Sequence, residues 1–425
     1  MKKTLSRTLI SSAVALAAFQ AQGAGFQVAE QSASGLGRAY AGEAAIGDNA
    51  AAMIRNPALM SRFSSPALSV AAHYVAPEVD VTNDTAKEEA KDVAPSALVP
   101  AAAYIHPIDN QLAVGIALFT NYGVATDYPN DFLAGSSAGD TSLKTVTLNP
   151  SVSYQINEQL SIGGGINFVY AEAELTRYKG DTSLAAPPAG FGGNRNDKLI
   201  YMEGNTTAWG WNIGALYEVN EKHRYGISYR SKVDLDFDGD FTDYTGVITQ
   251  KPKVAVDASL AAPMPAIIEA SGYNQLSDQF AIHYSVFWTQ WSDFTELKAS
   301  SSANCKGPKA PAPGVCFNKK EEYDDAFRYS IGTTYIYSDS VTLRAGFAFD
   351  EQGGKSTLSI PDTDRYWYSI GATYKASEKS TFDFGFAYLN SKKISFKEAS
   401  ASQQVYDFTS EGHAFILGAQ FNYAF

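Results

Sequence analysis

The sequence predicts an all-β fold, a roughly 14-stranded antiparallel transmembrane β-barrel with a small helical hatch in its lumen. Three observations predict it. The chain carries 25 Tyr and 24 Phe beside 34 Gly, with only 18% charged residues, the balance that aromatic girdles around a polar lumen require. From Ser65 onward, apolar residues recur with a period of two, the alternation of strands. The stretch AGFQVAEQSASGLGRAYAGEAAIGDNAAAMIRNPALM, Ala24 to Met60, breaks that alternation and holds only Phe26 and Tyr40 as aromatics.

Residues 1–23 read as an export leader. Lys2, Lys3 and Arg7 form a basic start, Leu9 to Phe19 is mostly apolar, and Ala21-Gln22-Gly23 offers small residues for cleavage before Ala24. The apolar run is well short of the ~20 residues a spanning helix needs, so a membrane anchor is the weaker reading. Removing those three cations takes the formal net charge from −12 to −15. An acidic chain of this kind is a poor partner for nucleic acid.

Residues 24–61 form the expected hatch, whose Ala, Gly and Ser side chains suit a tight lumen. Asp48 and Asn49 are placed to cap a short helical turn, and a following proline stops it near Arg55. Asn56 then caps a second turn with Pro57 at its first position and Ala58 next.

Residues 62–425 form the expected barrel, with strands beginning near Ser65, Ser96, Gln111, Thr145, Leu160, Thr206, His223, Val254, Gln279, Phe327, Val341, Tyr366, Thr381 and His413. In HAFILGAQFNYAF, residues Phe415, Leu417, Ala419, Phe421, Tyr423 and Phe425 share one face and Gln420 and Asn422 the other. TFDFGFAYL and QFAIHYSVFW repeat the arrangement. Periodicity alone also fits a soluble sandwich. Glycine on the small or polar face, the number of segments and an aromatic last strand favour the barrel. Short connections such as Asn157-Glu158-Gln159 read as periplasmic turns. Val81 to Asp92, Gly180 to Gly204, Asp238 to Pro252, Ser300 to Asp325 and Glu351 to Asp364 read as outer loops. The third strand is interrupted at Asn121-Tyr122-Gly123, which either marks a bulge or kink or ends the strand. Cys305 and Cys316, the only cysteines, bracket a Pro-rich loop, and in an exported chain they favour one disulfide. Without nearby His they fall short of a zinc site.

Together the Ala24–Met60 stretch with its Asn56-Pro57-Ala58 motif, the Asn121-Tyr122-Gly123 interruption, IPDTDRYWYSIGATY and the terminal QFNYAF resemble the FadL-type outer-membrane transporters of long-chain fatty acids, over Ala24 to Phe425. The resemblance implies uptake by passive diffusion across a bacterial outer membrane, with the ligand held in an apolar pocket and released sideways at the third-strand kink. It places Asn56, Pro57 and Ala58 in the hatch motif and Gly123 at the lateral gate. It sets Phe26 against the bound tail, and Arg177 and Lys319 beside the carboxylate. It further implies a monomer without cofactor or metal, surrounded by membrane lipid and lipopolysaccharide, with an outer surface open to phages. Physically, an acyl tail favours a dry pocket and its single anion a cation at the entrance. The loops at 180–204 and 238–252 look shorter than those that build the family's outer capture groove, and the cysteine-bracketed loop looks like an addition. Arg38, Glu43, Asp350 and Arg365 are expected to bond hatch to wall.

Other chemistries fit less well. A transporter of the same build for aromatic hydrocarbons would leave Arg177 and Lys319 dispensable. An outer-membrane lipase would need a Ser and His pair, yet the five His are dispersed and no nucleophile motif stands out. The run DLDFDGDFTDYT from Asp234 begins like a calcium loop but places Thr245 where a bidentate Glu is wanted, and its acids alternate with Leu and Phe as in a strand.

Overall fold

A computed structural model describes residues 25–184 and 190–425, so the expected leader at 1–23 lies outside the described residues. Among these, the strands join into a closed 14-strand antiparallel barrel. The first strand, Ala67–Asn83, pairs along its whole length with the last, Val405–Ala424, from Ala67 opposite Ala424 to Asn83 opposite Phe408. Closure matters because a lipid-facing edge would leave backbone donors and acceptors without partners.

The period of two decides which residues face lipid. Phe382, Phe384, Phe415 and Leu417 are exposed on the outside, whereas Asp383 and Gln420 point into the lumen and are buried. Tyr284 and Val286 likewise face out while His283 and Ser285 face in. In the Asp234 run, Val233, Leu235 and Phe237 are buried and Asp234, Asp236, Asp238 and Asp240 are exposed, whereas Asp243 is buried, within the strand Val233–Asp243.

Several strands are longer than expected. The sixth, Lys198–Asn220, has 23 residues, about twice what a bilayer requires. The fourth begins at Asp140, the last at Val405, and the first runs through Asn83. Parts of the segments assigned to outer loops are therefore strand. Beyond the lipid the outward face is polar, so the hydrophobic alternation fades while the backbone ladder continues.

The ladder is interrupted at one height on several strands. The third strand is Leu112–Phe119 and then Gly123–Thr126, so the chain resumes after the break instead of ending there. The ninth strand is Phe280–Thr289 and then Glu296–Ser300, separated by a single 3₁₀ turn, Trp291–Asp293, that carries buried Trp291 and Phe294 inward. The tenth is Val315–Lys320 and then Ala326–Ser338.

The hatch fills the lumen with three short turns. Ser32 caps Ala33–Leu36 through the Gly35 N–H. The turn Ala52–Arg55 has no side-chain cap, but Asn49 Oδ1 accepts from the Ala51 N–H just before it. Asp48 does not cap and is drawn to Arg38, 2.7 Å away. Asn56 caps Pro57–Arg62, accepting from the Ala58 N–H, and its amide donates to the carbonyls of Ala44 and of Ala215 on the wall. One side chain thus ties its own turn and the hatch backbone at Ala44 to the barrel. Wall side chains satisfy other hatch amides: Gln420 takes the Ala33 N–H at 2.8 Å, Ser285 that of Gly42 at 2.8 Å and Ser69 that of Ala50 at 3.0 Å. Lumen-facing glycines allow this approach, since a Cβ on Gly226 would collide with the Ala44 carbonyl and one on Gly346 with the Arg38 backbone.

Candidate functional site

The fifth strand, Leu160–Tyr178, builds the site from its inward face. Ala173, Leu175 and Arg177 succeed one another there at every second residue, so the wall changes from apolar to charged as it rises. Below, Phe26, Leu175, Met202, Phe237, Leu260 and Met264 line an apolar pocket. Its cavity volume of ≈70 Å³ is far below the roughly 300–1,000 Å³ of ordinary ligand sites. Above lies a polar vestibule with a cavity volume of ≈440 Å³, lined by Arg177, Lys319, Lys309, Lys320, Lys355 and Lys397 against Glu322 and Glu398.

Arg177 and Lys319 converge on one atom. Arg177 Nη2 donates to Ser359 Oγ at 2.7 Å, and Lys319 Nζ donates to the same oxygen at 2.9 Å. Arg177 is buried and also donates to the carbonyls of Asp140 and Thr176, both at 2.9 Å, which fix its plane. Lys319 pairs with Glu398 at 3.0 Å. Glu321 lies beside them, 3% exposed, with neither carboxylate oxygen meeting a protein donor. Burial pushes its carboxyl up to about 7, opposed by Lys319 and Arg177 and reinforced by Glu398.

Phe26 packs at the base of the pocket, with ring centroids 4.6 Å from Trp291, 5.2 Å from Phe294 and 6.3 Å from Tyr122. Its segment also covers the interruption of the third strand. The second strand, Ala97–Pro107, pairs with the third only as far as Ala102 opposite Leu118. Beyond that point the Val28 N–H donates to the Asn121 carbonyl at 2.7 Å, and the Gly123 N–H to the Phe26 carbonyl at 3.0 Å. The hatch N-terminus thereby occupies the edge that the second strand leaves unpaired.

Cys305 and Cys316 are bonded, and Cys316 lines the vestibule with Lys309 and Pro311 of the loop they close. Among the described residues, the expectation that Arg38, Glu43 and Asp350 bond hatch to wall needs correction. Arg38 pairs within the hatch, with Glu43 at 2.6 Å and Asp48 at 2.7 Å. Asp350 and Arg365 pair within the wall at 3.7 Å, and Arg365 also meets Asp362 at 3.1 Å. Buried charges need close partners, and local folding supplied these. Among the described residues, ion pairs that cross are Asp48 with Arg344 at 3.6 Å, Arg55 with Glu269 at 3.8 Å, and Arg62 with Glu218. Ser359, Glu321 and Glu398 were missed. Glu321 was within reach of sequence reasoning, being two residues after Lys319 on the same face; Ser359 sits in a loop without periodicity.

A closed barrel, a hatch in its lumen and an apolar pocket beneath a charged vestibule define a plugged transporter of the outer membrane. The chain belongs to the outer membrane protein transport protein family, OMPP1/FadL/TodX, whose family model matches residues 14–425. It is 38% identical over 454 residues to a long-chain fatty acid transport protein of Escherichia coli O6:H1, with 100% of each chain covered. The solved structure of a Pseudomonas aeruginosa FadL homologue shares the fold with a TM-score of 0.83 at 21% identity, covering 95% of this chain and 100% of that one. The toluene transporter TodX of P. putida does so with a TM-score of 0.71 at 18% identity, covering 96% and 99%. Membership of a transport family sets the lipase reading aside.

Proposed function

We propose that the protein takes up long-chain fatty acids, or close amphipathic relatives, by diffusion down their gradient. The observation that carries this reading is the pair of cations, Arg177 and Lys319, converging on a single hydroxyl directly above an apolar pocket. Such a pair suits a carboxylate, and the pocket suits the tail that hangs from it. Relatives named for long-chain fatty acid transport support the substrate class. Because the cavity is small, the tail has to displace side chains. Phe26 is the one carried on a terminal segment, and its departure uncovers the unpaired edge beside Gly123. The ligand then leaves sideways into the membrane.

Binding of oleate to detergent-purified protein tests the reading, with Arg177→Ala/Lys319→Ala beside wild type. Loss of two charge-assisted contacts is expected to weaken oleate by about a hundredfold. Toluene that binds in preference to oleate and ignores both replacements would overturn the fatty acid reading in favour of a hydrocarbon transporter.

A further inference from the structure

The eighth, ninth and tenth strands break at one height and bond to one another there. The eighth is Ala255–Met264 and then Ile267–Gln275, with Pro265 and Ala266 between. The Ala266 carbonyl accepts the Gln290 N–H at 2.9 Å, where the ninth strand turns inward. On the other side Asp325 Oδ1, just before the tenth strand resumes, accepts the Ser292 N–H at 3.1 Å and the Ser292 hydroxyl at 2.6 Å. The Phe294 N–H closes the turn on the Trp291 carbonyl at 2.8 Å. Trp291 and Phe294 are thus carried into the lumen on a turn pinned from both sides. Phe294 lines the apolar pocket with Phe26, and Trp291 packs against both rings, 4.6 Å from Phe26 and 6.4 Å from Phe294. Tyr323 completes the group, 5.5 Å from Trp291 and 5.2 Å from Phe294. Glycines make room for the indole: a Cβ on Gly25 would stand 2.7 Å from Trp291 Cζ2, and one on Gly353 2.9 Å from Cδ1.

We infer that Phe294 and Trp291 set the length of acyl tail the protein accepts, by closing the pocket with rings that the wall holds fixed. The inference rests on the fatty acid reading of the cation pair, which holds the carboxylate at Arg177 and Lys319 and sends the tail down toward this floor. Two kinds of aromatic meet there. Phe26 belongs to a terminal segment and yields to a tail. Phe294 and Trp291 sit on a turn bonded to the strands on either side, and moving them breaks those bonds. A tail that stops short of the floor gains about fourfold in affinity for each methylene it buries. One that reaches the floor has to overpack it or fold back, and its further methylenes gain nothing. The anion therefore fixes where the count of carbons starts, and the pinned rings fix where it ends. Both rings meet the tail and neither meets the anion, so they choose among fatty acids without altering how the carboxylate is recognised.

Binding of the saturated acids from decanoate to stearate to the full-length mature protein in detergent reads this limit. The quantity to follow is the ratio of variant to wild-type affinity at each chain length, in which partition of the acid into micelles cancels. For Phe294→Ala and for Trp291→Ala the ratio is expected to stay level across the shorter acids and then to rise by about fourfold per methylene past the wild-type limit. Phe294→Leu, which keeps an apolar side chain in place, is expected to move the same way by less. Phe26→Ala is expected to give a ratio that does not depend on length. A level ratio in Phe294→Ala, Trp291→Ala and Phe294→Leu alike, or a length dependence confined to Phe26→Ala, would overturn the assignment of the floor and leave the transport reading standing. Wild-type protein that binds none of the series would overturn both.

Discussion

Glu321 carries a pH dependence that its neighbours allow to be signed. It lies above the aromatic rim of the tenth strand, and Lys319, Arg177, Glu398 and Tyr323 are the titratable groups that act on it. Burial raises its carboxyl to about 7. Above that pH it becomes an anion that competes with a ligand carboxylate for the same two cations. Oleate affinity is therefore expected to fall by about tenfold between pH 6 and pH 8, and Glu321→Gln to flatten the profile; an unchanged slope in the variant would remove Glu321 from the site. Linkage has the same sign for stability: the contribution is complete below its ordinary value of 4.5 and is lost as pH rises through about 7. At this scale the sequence was legible where side chains follow strand periodicity. Phe317, Lys319 and Glu321 lie two apart, so one inward residue predicts the next. Ser359 follows a turn, where nothing in the spacing of residues says which way a hydroxyl points.

At the scale of the element, the third strand was legible as broken at Asn121-Tyr122-Gly123, but neither its resumption at Gly123 nor the cover over the break was. Asn121-Tyr122-Gly123 announces a break. That Phe26 and Val28 then bond across it depends on a contact spanning nearly a hundred residues, which no local pattern encodes. The bonds to Gly123 make it the residue to alter. Gly123→Val adds a branched side chain where the N-terminal segment lies, and oleate uptake by cells is expected to fall severalfold while export and barrel formation persist; normal uptake would place the exit elsewhere. The inward turn at Trp291 was invisible for a related reason. QFAIHYSVFW reads as an uninterrupted outward-inward alternation, and the chain leaves the wall only after its last residue. Charged pairs were misassigned because Arg38, Glu43 and Asp48 are close enough in sequence to satisfy one another before the wall is reached.

For the whole molecule, the closed barrel was legible from composition and alternation, whereas its height above the membrane was not, since a polar outward face hides a strand as well as a loop would. The distribution of charge is equally uneven. A chain of net charge −12 gathers Lys309, Lys319, Lys320, Lys355, Lys397 and Arg177 around one vestibule, and such a field draws anions inward. Association of decanoate, a soluble probe, is expected to slow by about threefold to tenfold as salt rises from roughly 0.05 to 0.5 M. Replacing Lys309, Lys320, Lys355 and Lys397 by Gln should abolish that dependence; a quadruple variant as salt-sensitive as wild type would contradict the steering. The seam of the barrel has a consequence for biogenesis. Gln420, on the strand that completes the cylinder, holds the Ala33 amide of the segment that leaves the ribosome long before it. The strand that shuts the wall is thus also bonded to the plug, so closing the cylinder and gripping the hatch are one event at Gln420.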